Sequence, residues 1–412
     1  MTMAKATSVE LHRSIAAPVS LVYRAFTSAN AWEEWLCTAA EAAPNPQGQL
    51  YLYWQAENYY ACGHYLTLSP QESVTFTWQG MGDAVVTQVR VTLSASDNST
   101  DVTLTHSGIP AGAAGEQLYQ EIRKGWETGL ENLQSVLETG IDLRVAHVPF
   151  MGIIPSGQNS PELAANLGIP VTYGIQISGT VAGTGAETAG LQKDDMLVEL
   201  AGQKLENFTS LAPVLRTHKA GDGIPLVFYR GPQQHTVTLT LSSRPQPPVP
   251  DTAAALAARL TEMYAELDQE LAAVLQDVTE AQAVHRPAAT EWSVKEVLAH
   301  LICVERDTQN WIGSELADFA RPSFSNNETA RLQATVAIYP TVTELLAALK
   351  MAEAETVALA AALPNEFVAR KSAYLRISQG VLFTPLHNRT HLEQIQAAVA
   401  AAALAEPELA IV

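Results

Sequence analysis

Residues 386–395 read LHNRTHLEQI, and this stretch decides how the last third of the chain is read. His387 and His391 stand four residues apart with no proline after Pro385, so on a helix both imidazoles leave one face about one turn apart. A third histidine, His300, lies on another apolar-periodic segment, where Val297, His300 and Val304 share a face. Three neutral imidazoles with one position left open are the donor set of an open zinc-type site. A histidine pair at this spacing is also common on ordinary helix faces, so the reading rests on the third histidine and on the pattern around it. Gln394, one turn from His391, is placed to orient a ligand ring by hydrogen bonding. Cys303, three residues after His300, reads as a buried, unreactive thiol.

Working outward, the helical period holds over Ala253 to Val278, Ser293 to about Phe319, Thr341 to Leu363, and Ile377 to about Ala405. Ser293 with Glu296 and Thr341 with Glu344 form capping boxes, in which each side chain satisfies a free backbone donor at a helix start. The expectation is an all-α four-helix bundle over residues 251–412. EWSVKEVLAHL, followed much later by HNRTHLEQI, resembles the DinB-like superfamily of four-helix bundles. The resemblance implies that His300, His387 and His391 hold a divalent metal, zinc or nickel, with water at the remaining position. It also implies relatives that include thiol-dependent S-transferases and isomerases. From Asp251 onward the chain has 21 acidic and 11 basic residues, a net of −10, which excludes a duplex-binding face.

Before the bundle, SSRPQPPVPD places four prolines in six residues, a stiff extended linker over 246–250. Residues 144–245 are rich in turns, with GIQISG, DMLVELAG, IPLVFYRG and HTVTLTLS as short strands. Helical pieces fit at Ser160 to Gly168, where Pro161 follows a serine cap, and at Thr209 to Thr217. The order of these pieces, preceded by VPFMGIIPSGQNSPELAANLG, closely resembles a bacterial PDZ domain of the HtrA type, a mixed and mostly β fold. The resemblance implies a partner's C-terminal peptide bound at Phe150, Met151, Gly152 and Ile153. Leu211, Val214 and Leu215 would face the peptide's last side chain. Backbone N–H groups in a glycine-bearing turn can cradle a carboxylate, and a strand edge can accept an added strand. The family's usual glycine before the aspartate is Asp194 in this sequence, which questions the local turn geometry. No GxSxG nucleophile motif accompanies the domain.

Residues 1–143 alternate apolar and polar positions in VELHRSI, LYLYW, GHYLTL, SVTFTW, VVTQVRVTL and TDVTLTHSG, which predicts antiparallel strands. One helix is expected from Pro18 to Trp35. A long one is expected from Gly115 to Gly140, with Leu118, Ile122, Trp126, Leu130, Leu133 and Leu137 on one stripe. RSIAAPVSLVYRAFTSANAWEEW, CGHYLTLSPQESVTFTW and KGWETGLENLQSVLETG resemble the SRPBCC or START-like superfamily, in its heat-shock-protein ATPase activator-like branch. That implies a helix-grip fold with a cavity for an apolar small molecule. Trp54, Tyr59, Tyr60, Trp78 and Trp126 are the candidates to line it, with a solid aromatic core as the alternative.

The whole is expected to be a multidomain α+β protein. The formal charge of the 412 residues is −19, from 24 basic and 43 acidic side chains, which disfavours nucleic acid and anionic membranes as partners. Three scattered cysteines and the absence of a signal-like start lead to an expected cytoplasmic location. The functional expectation is a binding protein combining an apolar cavity, a peptide groove and a metal-bearing bundle. Two alternatives stand beside it: a metal-dependent thiol S-transferase or isomerase at the three histidines, and an interaction scaffold without ligands. No catalytic residue is assigned.

Overall fold

The alternating stretches of the first module become seven strands. In the computed structural model, which describes residues 7–243, 248–319 and 325–409, the elements in order are β1 (Thr7–Ile15), α1 (Val19–Ala25), α2 (Ala29–Trp35), β2 (Ala39–Ala42), β3 (Gln49–Trp54), β4 (Tyr59–Ser69), β5 (Ser73–Gly80), β6 (Thr87–Ser96), β7 (Ser99–Ile109) and α3 (Ala113–Thr139). The sheet order is β1-β7-β6-β5-β4-β3-β2, every neighbouring pair antiparallel. Its inner face buries Leu52, Tyr65, Phe76, Val91 and Leu104 against Trp126, Leu130 and Leu133 of α3. Each fully buried side chain of this kind is worth about 1.5–3 kcal/mol.

The single helix expected from Pro18 to Trp35 is two, broken at Phe26 to Ser28. Ser28 caps the second piece by accepting from the Ala31 N–H. The break leaves backbone carbonyls in the core, and side chains meet them: the Tyr65 hydroxyl donates to the Phe26 carbonyl at 3.0 Å and the Trp35 indole N–H to that of Ala25 at 2.9 Å.

Residues 141–247 form a separate compact unit. Its elements are β8 (Ile153–Gln158), α4 (Pro161–Leu167), β9 (Ile175–Thr180), β10 (Met196–Leu200), β11 (Gln203–Lys204), α5 (Leu211–Leu215), β12 (Gly223–Arg230) and β13 (Gln233–Thr240). The sheet order is β13-β12-β10-β9-β8 with β11 on β10, which leaves β8 at an edge. Ser160 caps α4, as its sequence predicts, by accepting from the Leu163 N–H. Asp194 adopts φ +70°, the left-handed conformation that glycine takes at low cost, and its carboxylate accepts from Gln176 at 2.9 Å. The turn therefore survives the loss of glycine. Beside it, buried Asp195 takes a two-pronged contact from Arg230 at 2.7 and 2.8 Å.

The last module contains α6 (Ala253–Leu275), α7 (Val294–Leu316), α8 (Thr329–Ile338), α9 (Val342–Ala361) and α10 (Lys371–Leu409). The four long helices close a ring in which α7 packs on α9 and α10, and both of those pack on α6. Both capping boxes form. Helix α8 is a fifth element that the sequence analysis misses, because its buried side chains are few, Leu332 and Thr335. Helix α10 begins six residues before Ile377 and continues through Pro385. Where α10 crosses α7, Gly380 lies flat against Trp311: a Cβ there would fall 2.2 Å from the indole ring. Residues 246 and 247 of the expected linker lie outside the described residues.

Residues 1–140 and 248–412 belong to one compact unit, an association that the sequence reading leaves open. The joint is ionic. Arg24 of α1 reaches Asp318, just past α7, at 2.6 and 3.0 Å, and Glu34 of α2 at 3.2 Å. Arg370 adds a contact to Asp318 at 3.3 Å, and Arg376 pairs with Glu315 at 2.8 Å. Asn30 donates to the Phe319 carbonyl at 2.8 Å, and the Lys371 ammonium donates to the Glu138 carbonyl. Arg24, Arg370 and Arg376 thus face Glu34, Glu315 and Asp318, while the buried Arg370 Nε has no hydrogen-bond partner among the described residues and desolvation lowers the Arg370 pKa.

Inside the bundle, Glu305 is fully buried and accepts from Tyr264, Thr356 and Asn388 at 3.0, 2.8 and 3.1 Å. Burial raises its carboxyl to about 7 in spite of these donors. Burial, then the charges of Asp268 and Glu305, raises Glu353 to about 9, although Lys350 opposes the shift, and its Oε1 has no hydrogen-bond partner among the described residues. Both groups ionise near 4.5 when unfolded, so the folded state holds protons that the unfolded state has lost. Their contribution to stability is complete below about 4.5 and is lost as the pH rises through 7 and then 9.

Two outcomes follow from this packing. Arg24→Ala leaves Glu34 and Asp318 short of a counter-charge and should lower stability by about 2–3 kcal/mol, under the full buried-pair cost because Asp318 keeps some solvent contact; urea unfolding of the full chain measures it. Glu353→Gln removes one of the two titrations, so its melting temperature relative to the parent should rise steadily between pH 5 and pH 9. A difference independent of pH would contradict the buried-acid assignment.

Candidate metal centre and peptide groove

Helix α7 supplies His300 and helix α10 supplies His387 and His391, and the three imidazoles converge. His300 Nε2 lies 3.3 Å from His387 Nε2, and His391 Nε2 lies 3.4 Å from the same atom. One ligand atom from each residue falls within 4.8 Å of the others. Two nitrogens held at zinc–imidazole distance in a tetrahedral shell stand about 3.3–3.4 Å apart. Two of the three nitrogen pairs stand at that separation, and the donor set is compatible with a divalent ion. His300 is buried and the other two are half-buried, which leaves one side of the triad toward solvent.

Two of the three remaining ring nitrogens are spoken for. His300 Nδ1 faces the Asn326 carbonyl at 3.2 Å, and His391 Nδ1 faces Gln394 Oε1 at 2.8 Å. With an oxygen acceptor at Nδ1, the proton sits there and the Nε2 lone pair is free to ligate. Burial lowers the His300 pKa to about 4, opposed by the Asn326 contact, and lowers that of His387 as well. Both therefore favour the neutral form that a metal requires. Trp292 packs its ring on His300 at a centroid distance of 5.0 Å and lies near-parallel to His391 at 6.5 Å.

Gln394 meets the His391 ring, the contact that its spacing predicts. Trp292 and Asn326 were not foreseen. Trp292 carries a weak signal, an aromatic residue just before the Ser293 cap where apolar side chains fold back onto a helix start. Asn326 acts through its carbonyl, which carries no residue-type signature. Cys303 is buried with its sulfur 3.8 Å from the Thr335 hydroxyl, in keeping with an inert thiol.

In the middle unit, Phe150 exchanges two backbone hydrogen bonds with Ser242, each 2.8 Å, so its N–H anchors the loop and is not available to a carboxylate. The Met151 carbonyl accepts from Ala186 at 3.1 Å and that of Gly152 from Val181 at 2.7 Å. The N–H groups of Met151 and Gly152 enter no hydrogen bond among the described residues. Gly152 turns the chain at φ +84°, and a Cβ there would meet Thr184 Oγ1 at 1.9 Å. Met151, Ile153, Leu211 and Val214 share one apolar cluster, with Leu215 packed against it. The expected loop and helix residues are thus brought together beside the edge strand β8.

In the first module, Trp78 lies between Trp126 and Trp54 at centroid distances of 5.2 and 6.3 Å, and Tyr59 packs on Trp54 at 5.5 Å. Buried His106 joins this cluster. The Trp126 N–H donates to its Nδ1 at 2.9 Å and Thr87 meets its Nε2 at 2.7 Å, while burial lowers its pKa to about 4. Tyr60 does not belong with the other four aromatics. Strand alternation turns it to the outer face, 37% exposed and stacked on Tyr51 at 5.7 Å, whereas its neighbour Ala61 is buried. A pocket of about 420 Å³ lies on that outer face too, lined by Glu41, Tyr51, Cys62, His64, Thr77 and Gln79 among others.

Comparison with known proteins agrees with this three-part organisation. Residues 16–138 match the family described as Activator of Hsp90 ATPase homolog 1-like protein, residues 148–228 match the PDZ domain, and residues 263–395 match the DinB superfamily. The chain is a multidomain α+β protein of three modules, similar in turn to START-like ATPase-activator domains, HtrA-type PDZ domains and DinB-like four-helix bundles. Among curated proteins it is 29% identical over 99 residues to a probable periplasmic serine endoprotease DegP-like of Marinomonas sp. (strain MWYL1), covering 24% of this chain and 21% of that protein. It is 28% identical over 90 residues to a probable periplasmic serine protease do/HhoA-like of Haemophilus influenzae, covering 22% and 19%. The chain thus spans about a fifth of the length of each relative. Among solved structures, a protein from Chromobacterium violaceum is 27% identical, covering 32% of this chain and 97% of that one, with a TM-score of 0.28. The Aha1 dimer from Colwellia psychrerythraea is 19% identical, covering 32% and 96%, with a TM-score of 0.29.

Gly152→Ala should dislodge the turn before β8, since it adds both backbone strain and the contact with Thr184. A loss of about 1–3 kcal/mol in the melting transition of the middle unit is expected, and an unchanged transition would mean that the loop tolerates a side chain.

Proposed function

We propose that this is a cytoplasmic binding protein whose bundle holds one divalent ion, zinc or nickel, at His300, His387 and His391. The PDZ-like unit would take a partner's C-terminal peptide, and the START-like module an apolar small molecule. The observation that carries the metal reading is the convergence of three Nε2 atoms, with Asn326 and Gln394 holding the Nδ1 protons of two rings on the far side. Peptide binding is supported by the edge position of β8 and by the Met151 and Gly152 N–H groups beside an apolar floor. Small-molecule binding is supported by the match of residues 16–138 and by the inner aromatic cluster of Trp54, Tyr59, Trp78 and Trp126. A reducing compartment accords with the absence of any disulfide among the three cysteines.

A second reading, a metal-dependent thiol S-transferase or isomerase, is favoured by the solvent-facing side of the triad. When bound, a divalent ion with a free position would hold a thiol as thiolate or lower the pKa of bound water toward about 7. The chain's own part is to present three neutral rings, to fix two of them through Asn326 and Gln394, and to shield them with Trp292.

Elemental analysis of the purified full chain after zinc or nickel loading should give one ion per molecule. His387→Ala should abolish that stoichiometry with the helical circular dichroism intact, and Gln394→Ala should weaken affinity about tenfold. A chain that takes up no ion under loading would remove the metal reading, and the enzyme reading with it.

A further inference from the structure

We infer that the open side of the histidine triad is the seat of a ligand joining one metal-binding donor atom to an uncharged apolar body, with Phe383, Leu386 and Trp292 receiving that body. The inference rests on the metal reading above.

Phe383 lies one turn before His387 on α10, its ring centroid 6.3 Å from the imidazole, and is 62% exposed. Leu386, immediately before His387, is 47% exposed. Trp292 packs on His300 and flanks His391. Single exposed apolar residues are ordinary on a protein surface, but two next to a converging donor set, with an indole on the same rings, form an apolar margin where a bound ligand would lie.

Charge narrows the ligand further. Among the described residues, the cations near the site in sequence are engaged with carboxylates except Arg306, which is exposed, stands about 120° round α7 from His300 and meets the Tyr339 hydroxyl at 3.4 Å. Arg331 gives both prongs to Asp307 at 2.9 Å and a third contact to the Ser325 carbonyl at 3.0 Å. Arg389 is held by Glu270 at 2.9 Å and Glu266 at 3.3 Å, and Arg286 is held by Glu296. None of these three is left to receive a carboxylate or phosphate. The segment from Asp251 onward carries a net charge of −10, which repels any anion beyond the one donor that the ion neutralises. A polyanionic ligand would lose on both counts, and one with an aryl or alkyl body gains by covering Phe383 and Leu386.

The test uses the full chain loaded with cobalt(II), whose thiolate charge-transfer band reports ligation directly and needs no turnover. Phenylmethanethiol and mercaptosuccinate are titrated separately. The apolar thiol should bind at least tenfold more tightly, and Phe383→Ser and Leu386→Ser should each shrink that ratio several-fold while cobalt stoichiometry and the spectrum of the thiol-free complex stay unchanged. Equal affinities, a ratio insensitive to both substitutions, or a cobalt-loaded chain that ligates neither thiol would overturn this inference alone. Failure to take up cobalt at all would overturn the metal reading together with it.

Discussion

Helix α7 carries an ionisable side chain into the bundle interior on nearly every turn, and desolvation obliges each to find a partner on a different element. Lys295 meets Glu280, Glu296 meets Arg286, and His300 meets the Asn326 carbonyl. Glu305 meets Tyr264, Thr356 and Asn388, Asp307 meets Arg331, and Glu315 meets Arg376. A buried charge or polar group left alone costs several kcal/mol, so the position of α7 is tied to every segment around it. The apolar contacts that fill the bundle would permit some sliding of one helix on another. The polar contacts do not.

The same helix links the ends of its unit. Near its start, His300 completes the imidazole triad with two residues from α10. Just past its end, Asp318 accepts Arg24 of the first module. The histidine cluster and the ionic joint therefore sit at the two ends of one helix, and the START-like module presents its α1 and α2 helices to the bundle through paired charges. Aromatic packing governs the interior of that module, where Trp32 stacks on Trp35 at 5.2 Å. Hydrogen bonds to freed carbonyls decide where its helices break.

Much of the site was legible in the residues themselves. The four-residue spacing of His387 and His391 already put them on one helix face, and His300 shared its face with Val297 and Val304, which predicted an inward-facing ring. Gln394 was legible because i to i+3 on a helix is a fixed distance. Trp292, Asn326 and the pairing of Arg24 with Asp318 were not, since none follows from local periodicity. Arg24 and Asp318 are 294 positions apart, and each alone reads as an ordinary surface charge. Tyr60 was misassigned because an aromatic pair in a strand does not reveal which member faces inward until the register is known.

Sequence by itself determined the three modules, their order, the capped helix starts and the identity of the three convergent histidines. The caps and helix faces rest on periodicity and turn chemistry, which act over a few residues or one helical turn, and the modules and the histidine set rest also on the resemblance to known families. Tertiary structure alone decided that the first and third modules share one compact unit, that Asp194 keeps a glycine's turn, that Phe150 spends its N–H on Ser242, and which ring nitrogens are free to ligate. Those outcomes depend on where buried charges and backbone donors find partners across long stretches of chain, and such pairings are chosen by desolvation cost in the assembled core.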